Sequence, residues 1–151
     1  MFNVFMYLIE HFQSLNACPE RFFLEQRLEN AGFEENEINQ AFGWMDKIRL
    51  SHQKPNLRLQ NSKSFRIFSQ NEQLHLTEES INLLTFLHDQ EIINNCQREL
   101  IIDTLMEAQY EVNINHAKML VLAILWMHEI ELPVLIGEDL LSVIHEQIIP
   151  Q

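Results

Sequence analysis

Residues 115–128 read NHAKMLVLAILWMH, and every position from Met119 to Met127 is apolar. A helix built from this stretch has no face suited to water, so it belongs at the middle of a bundle, with Asn115 as its cap. The nine-residue run falls well short of the roughly 20 residues needed to cross a bilayer. The rest of the composition points the same way. Of 151 residues 46% are hydrophobic, while Gly numbers 3 and Pro 4. That supplies a sizeable core but few of the turns a many-stranded protein requires. A mainly α chain is predicted, forming one domain or two small ones.

Working outward from that stretch, helical spacing recurs on both sides. A helix over 96–108 opens at Asn94 and Asn95 and turns Leu100, Ile101, Thr104, Leu105 and Ala108 inward, with Glu99 and Asp103 on its wet side. Before it, Thr77 caps a helix over 78–89 that buries Ile81, Leu84 and Leu87, helped by Leu83. Glu78 and Glu79 suit the positive end of its dipole, and 71–76, NEQLHL, forms a short turn of its own. After the central stretch, Pro133 opens a last helix with Leu140, Leu141, Ile144 and Ile148 inward and Gly137 as its weak point.

At the other end, 2–13 places Phe2, Phe5, Met6, Ile9 and Phe12 on one stripe, widened by Val4, Tyr7 and Leu8. A second helix runs from Pro19 to Ala31 with Leu24, Leu28 and Ala31 inward. Gly32 ends it in a left-handed stop, and Phe33 packs back across the corner. A third helix over 35–49 carries Ile38, Ala41, Phe42, Met45 and Ile48 on one side. The sum is a bundle of six or seven helices.

Residues 47–66, KIRLSHQKPNLRLQNSKSFR, are chemically unlike either flank. They hold six of the ten Lys and Arg residues and no acid, between residues 1–46 of net −6 and residues 67–151 of net −12. Pro55 turns Lys54 away from the helical region, and Leu57 and Leu59 alternate with Arg58 and Gln60. A basic loop is expected, with room for a short β-hairpin pairing 57–60 with 64–68. It divides the chain into an N-terminal helical subdomain, 1–50, a connecting segment, 51–70, and a C-terminal helical subdomain, 71–151.

The net charge of −12 disfavours nonspecific attraction to nucleic acid or anionic lipid. A local grip on phosphate or on an acidic partner through Lys47, Arg49, Lys54, Arg58, Lys63 and Arg66 remains open, as does docking of these cations on the chain's own acids or on a second subunit. Trp44, Phe65 and Phe68 stand near enough in sequence to stack on bases, or belong to the core. Phe33 is a candidate contact for a partner peptide if its turn is exposed, and belongs to the architecture if the first helix covers it.

Several chemistries lack their residues. The seven His form no HxH or HxxxH pair and there is no CxxC, so no metal is expected. Three glycines, at 32, 43 and 137, cannot make a glycine-rich phosphate cradle, and no cofactor is expected. Adjacent acids such as Glu34 and Glu35 fit first helical turns better than a catalytic cleft. Ser, His and Asp occur without a nucleophile elbow, and Cys18 or Cys96 would need a base that no spacing supplies. With two cysteines and no basic leader before the early apolar run, a soluble cytoplasmic protein with reduced thiols is predicted.

The segments MFNVFMYLIEHF, LEQRLENAGFEENEINQAFGWMDKI, SFRIFSQNEQLHL, FLHDQEII, RELIIDTLM and KMLVLAILW, in this order and spacing, resemble the bacterial Smg family across nearly the whole chain. The tail from Leu132 resembles it less. The resemblance implies a small, acidic, mainly helical cytoplasmic protein of uncharacterised biochemical role, and genes neighbouring those for DNA-processing proteins. It supplies no catalytic residue.

The residues therefore favour a non-enzymatic protein-interaction or regulatory adaptor of unknown partner. The alternative is an accessory factor that binds the DNA or RNA phosphate backbone through 47–66. The broad stripe of the first helix also fits a homodimer.

Overall fold

The computed structural model describes residues 1–53, 66–130 and 134–146. Among them are eight α-helices and no strand: α1 (Phe2–His11), α2 (Arg21–Asn30), α3 (Glu35–Gln53), α4 (Gln70–Leu76), α5 (Glu78–Asp89), α6 (Asn95–Glu107), α7 (Ile114–His128) and α8 (Val134–Glu146), with a 3-10 turn at Leu15–Ala17. The α class is as expected. The short hairpin is not supported. Its first strand, 57–60, lies outside the described residues, and Arg66–Phe68, the described end of the second, carries no regular structure.

The chain gathers into two compact units, Met1–Asp46 with Lys118–Gln151, and Lys47–Ala117. The unit boundaries fall inside α3 and α7. Sequence order and spatial grouping therefore differ, because the last helices cluster with the first ones.

In the first unit the core is aliphatic and aromatic. Phe2, Val4, Phe5 and Leu8 of α1 are buried. The buried stripe is thus rotated from the expected one: Met6, Ile9 and Phe12 are only half-buried. Phe5 meets Trp44 with ring centroids 5.3 Å apart. Leu24 and Leu28 of α2 are buried, whereas Ala31, at the helix cap, is exposed. Of the α3 stripe, Ile38, Ala41, Phe42 and Met45 are buried as their spacing requires, and Trp44 joins them; Ile48, buried as well, falls in the second unit. All of Met119–Leu125 in α7 is buried, as read from the central stretch, but Asn115 is not its cap: the helix begins at Ile114, and the Asn113 side chain accepts the Asn115 N–H at 2.8 Å. Trp126 Nε1–H donates to the Phe12 carbonyl at 2.9 Å and ties α7 to the end of α1. Leu140 of α8 is buried, but Leu141 is exposed.

The second unit packs α4, α5 and α6 on one another. Leu76, Leu84, Leu87, Ile101, Ile102 and Leu105 form its interior. Each such side chain taken from water contributes roughly 1.5–3 kcal/mol. Two capping boxes fix helix starts: Ser69 with Glu72 on α4, and Asn94 with Gln97 on α6. In each, the side chain of the cap accepts an orphan backbone N–H while the acid or amide three residues on returns the bond. His75 Nε2 bonds the Leu105 carbonyl at 2.8 Å, joining α4 to α6.

Helix ends are closed by a recurring device. Gly32, at φ +100°, sits just past α2, where its N–H donates to Glu29 O and Phe33 N–H to Leu28 O. This crossed pair satisfies the last carbonyls of the helix. Glu91, at φ 59°, does the same after α5, with its N–H on His88 O and Ile92 N–H on Leu87 O. Glu129, at φ 53°, follows α7.

Candidate interaction surface

Three of the six candidate cations, Lys54, Arg58 and Lys63, lie outside the described residues. Lys47 and Arg49 are exposed on α3. Arg66 is engaged inside its own unit. Its Nη1 and Nη2 donate to the two Glu72 oxygens at 3.1 and 2.7 Å, and its Nε donates to Glu99 Oε1 at 2.7 Å. The guanidinium also lies over the Phe68 ring, 4.5 Å from its centroid. Planar fork, carboxylate and aromatic face are the partners guanidinium suits best. The Arg66 hydrogen bonds, together with one from the Ser69 N–H, hold the Glu72 carboxyl down at about 2. Arg66 is pushed the other way, above the usual arginine range, chiefly by the Glu72 bond. One end of the basic segment is therefore docked on the chain's own acids.

The aromatic candidates are also accounted for by packing. Trp44 is buried against Phe5, and Phe68 lies under Arg66. Phe65 lies outside the described residues. Phe33 is half-buried and meets Tyr7 of α1 edge-on, with centroids 5.6 Å apart. Arg27 extends that cluster, donating to the Tyr7 hydroxyl at 3.3 Å and lying over Phe12.

Among the described residues no three His, Cys, Asp or Glu converge as metal ligands, and no helix is long and apolar enough to cross a membrane. His88 bonds the Asn95 side chain. Burial pushes the Cys18 thiol up to about 11, against a smaller opposite pull from Arg27. A thiol so shifted is almost wholly protonated at neutral pH and is a poor nucleophile.

The feature that sequence reading missed is on α2. Phe22 and Phe23 are 63% and 57% exposed, and their rings meet edge-on at 5.6 Å. Their helix buries Leu24 and Leu28 on its other side. The signal was available: two adjacent phenylalanines fall off the Leu24–Leu28 stripe, among Arg21, Glu25 and Gln26. A second candidate surface is a groove of about 690 Å³ in the first unit, of mixed polar and apolar lining, bounded by the end of α1, by α7 and by α8.

A family model described as "Protein of unknown function (DUF494)" matches residues 1–149, and so takes in the tail. Among curated relatives, "Protein Smg homolog" of Chromobacterium violaceum is 35% identical over 146 residues, covering 96% of each chain. The protein of the same name from Aromatoleum aromaticum is 34% identical over 99% of this chain and 98% of its own. That of Neisseria meningitidis serogroup B is 36% identical over 94% and 93%. No solved structure matches the chain. Matched along nearly its whole length by the family model and by these relatives, the chain belongs to the Smg family (DUF494), whose function is unknown.

Proposed function

We propose that this chain is a non-enzymatic adaptor that binds another protein, with Phe22 and Phe23 at the centre of the contact. The observation that carries the reading is that pair of rings, more than half exposed on a helix whose opposite side is already used for packing. Exposed aromatics are the residues that most often anchor protein interfaces, because a ring buries much area at little entropic cost. Here Arg21, Glu25 and Gln26 supply a polar rim. The partner this surface fits presents an apolar cleft able to take two rings.

The test is a Phe22→Ser, Phe23→Ser double variant. It replaces solvent-exposed rings, so its melting temperature should stay within a few degrees of the parent. Proteins captured by the parent from lysate of the native host should be lost from the variant. An unchanged set of captured proteins would sink the reading.

The alternative, a factor gripping nucleic-acid backbone through 47–66, has the exposed Lys47 and Arg49 in its favour. Arg66 is committed to two carboxylates and is less available to it. Labelled single- and double-stranded DNA at low salt separates the two readings. Binding that weakens steeply with salt favours the alternative, and its absence favours the protein partner.

A further inference from the structure

We propose that the groove between α1, α7 and α8 seats a basic amphipathic helix from a partner protein. This site is distinct from Phe22 and Phe23 and is tested separately. One side of the groove is a face of α7, where Leu122 is followed three and four residues on by Leu125 and Trp126, and past the end of the helix Glu129 and Ile130 continue the wall. From Leu122 to the helix end at His128 that face is about 9 Å long at 1.5 Å per residue, under two helical turns. An amphipathic helix lays down apolar anchors over such a distance, at i and at i+3 or i+4.

Gly137 lies in the α8 wall. It occupies a helical position where alanine is the better residue. Its φ is not positive, and a Cβ built there would meet none of the described residues within 4 Å. Neither a turn nor crowding within the unit explains a glycine at this place. Close approach of a second backbone does, since small residues are what let helices pack near one another. Gly43 is equally unhindered and is itself exposed on α3, between the buried Phe42 and Trp44.

Charge selects the sign of the visitor. Among the described residues the lining holds one carboxylate, Glu129, beside Gln13 and Ser14, and no Lys, Arg or His. Glu129 is held in place by a bond from the Asn16 amide to Oε1 at 3.3 Å. Trp126 is fixed by its own bond to Phe12 O and offers an indole ring, the best partner for a cation among the aromatics. The whole chain, at net −12, attracts a cationic segment and repels an acidic one.

The experiment uses the full chain and a fluorescein-labelled 14-residue peptide with leucines on one helical face and lysines elsewhere. Binding is followed by anisotropy. A scrambled peptide of the same composition tests shape, and a version with glutamate for lysine tests charge. The ordered lysine peptide should bind at least about tenfold more tightly than either control. Gly137→Leu fills the groove without changing charge and should weaken binding about tenfold. Ile130→Lys, at a residue 38% exposed, places a cation in the groove and should do the same even if the first variant folds poorly. Phe22→Ser with Phe23→Ser should leave peptide binding unchanged, so failure of the adaptor surface and failure of the groove are told apart. Equal binding of the scrambled peptide, or full binding by folded Gly137→Leu and Ile130→Lys, overturns the proposal.

Discussion

Arg66 and Glu72 meet fork to fork, with both guanidinium Nη atoms on both carboxylate oxygens at 3.1 and 2.7 Å. The same carboxylate closes the capping box at the start of α4, accepting the Ser69 N–H at 2.9 Å. One acid therefore both starts a helix and anchors the end of the basic segment. Both side chains are largely buried, at 20% and 17% exposure. Arg66→Ala would leave Glu72 without its cation and Glu99 with Arg98 alone, at 3.4 Å, and should cost about 2 kcal/mol, read as a lower midpoint in urea with an unchanged slope. Arg66→Lys keeps the charge but cannot form the fork, and should fall between the two.

The pH dependence follows from the depressed Glu72 carboxyl. Its value falls from an ordinary 4.5 to about 2 in the folded chain, mainly through the Arg66 bond. The unfolded chain thus takes up this proton first. The contribution is fully present above about 4.5 and disappears as pH falls from there to about 2. Glu72→Gln lacks it at every pH. The stability gap between parent and Glu72→Gln, measured by urea unfolding, should be constant from pH 7 to 5 and should narrow steadily towards pH 2.

How much was legible follows from what each signal depends on. The all-apolar run at Met119–Met127 and the α3 stripe were readable because every helical face, or one clean face, was specified. The α1 stripe was too broad to fix its rotation, so Val4 and Leu8 took the interior in place of Ile9 and Phe12. The Gly32 stop was readable from a glycine, whereas Glu91 and Glu129 make similar left-handed turns without one. Ser69-x-x-Glu72 is a capping signature in plain sight, but the same glutamate's pairing with Arg66 and Glu99 depends on tertiary placement. Of the candidate site, the sequence identified the basic segment, yet it could not say that Arg66 turns inward. Grouping of α7 and α8 with α1 is likewise a long-range matter on which local periodicity is silent.

Thr77 joins α4 to α5 as a single residue at φ 71°, ψ 151°. That region is essentially reserved for glycine, and a β-branched residue there is strained by about 1–3 kcal/mol. Its hydroxyl compensates in part by accepting the Ser80 N–H at 3.3 Å, next to a Ser80 that is fully buried. Two substitutions should move stability in opposite directions. Thr77→Ala keeps the strain and loses the cap, costing about 1 kcal/mol. Thr77→Gly relieves the strain and loses only a few tenths of capping, for a net gain of about 1 kcal/mol. Thermal unfolding of the pair decides the matter, and two losses of equal size would show that the backbone at Thr77 is not strained.

Gly32 and Glu91 occupy equivalent positions after α2 and α5, with the same crossed backbone bonds, but only the first is a glycine. A side chain in the left-handed region costs about 1–2 kcal/mol through crowding of Cβ against the next carbonyl. Gly32→Ala should therefore lower stability by about 1 kcal/mol. Glu91→Gly should raise it by about 0.5–1 kcal/mol, after the greater freedom of glycine in the unfolded chain is deducted. Some of the gain has another source, because an acid at the negative end of the α5 dipole is unfavourable by a few tenths of a kcal/mol. Glu91→Gln separates the two: it removes the charge and keeps the Cβ. If backbone crowding dominates, Glu91→Gln should recover less than half of the gain seen with Glu91→Gly, and added salt should not alter the remainder. If both variants gain equally and salt abolishes the gain, the dipole accounts for it and the left-handed turn tolerates its side chain.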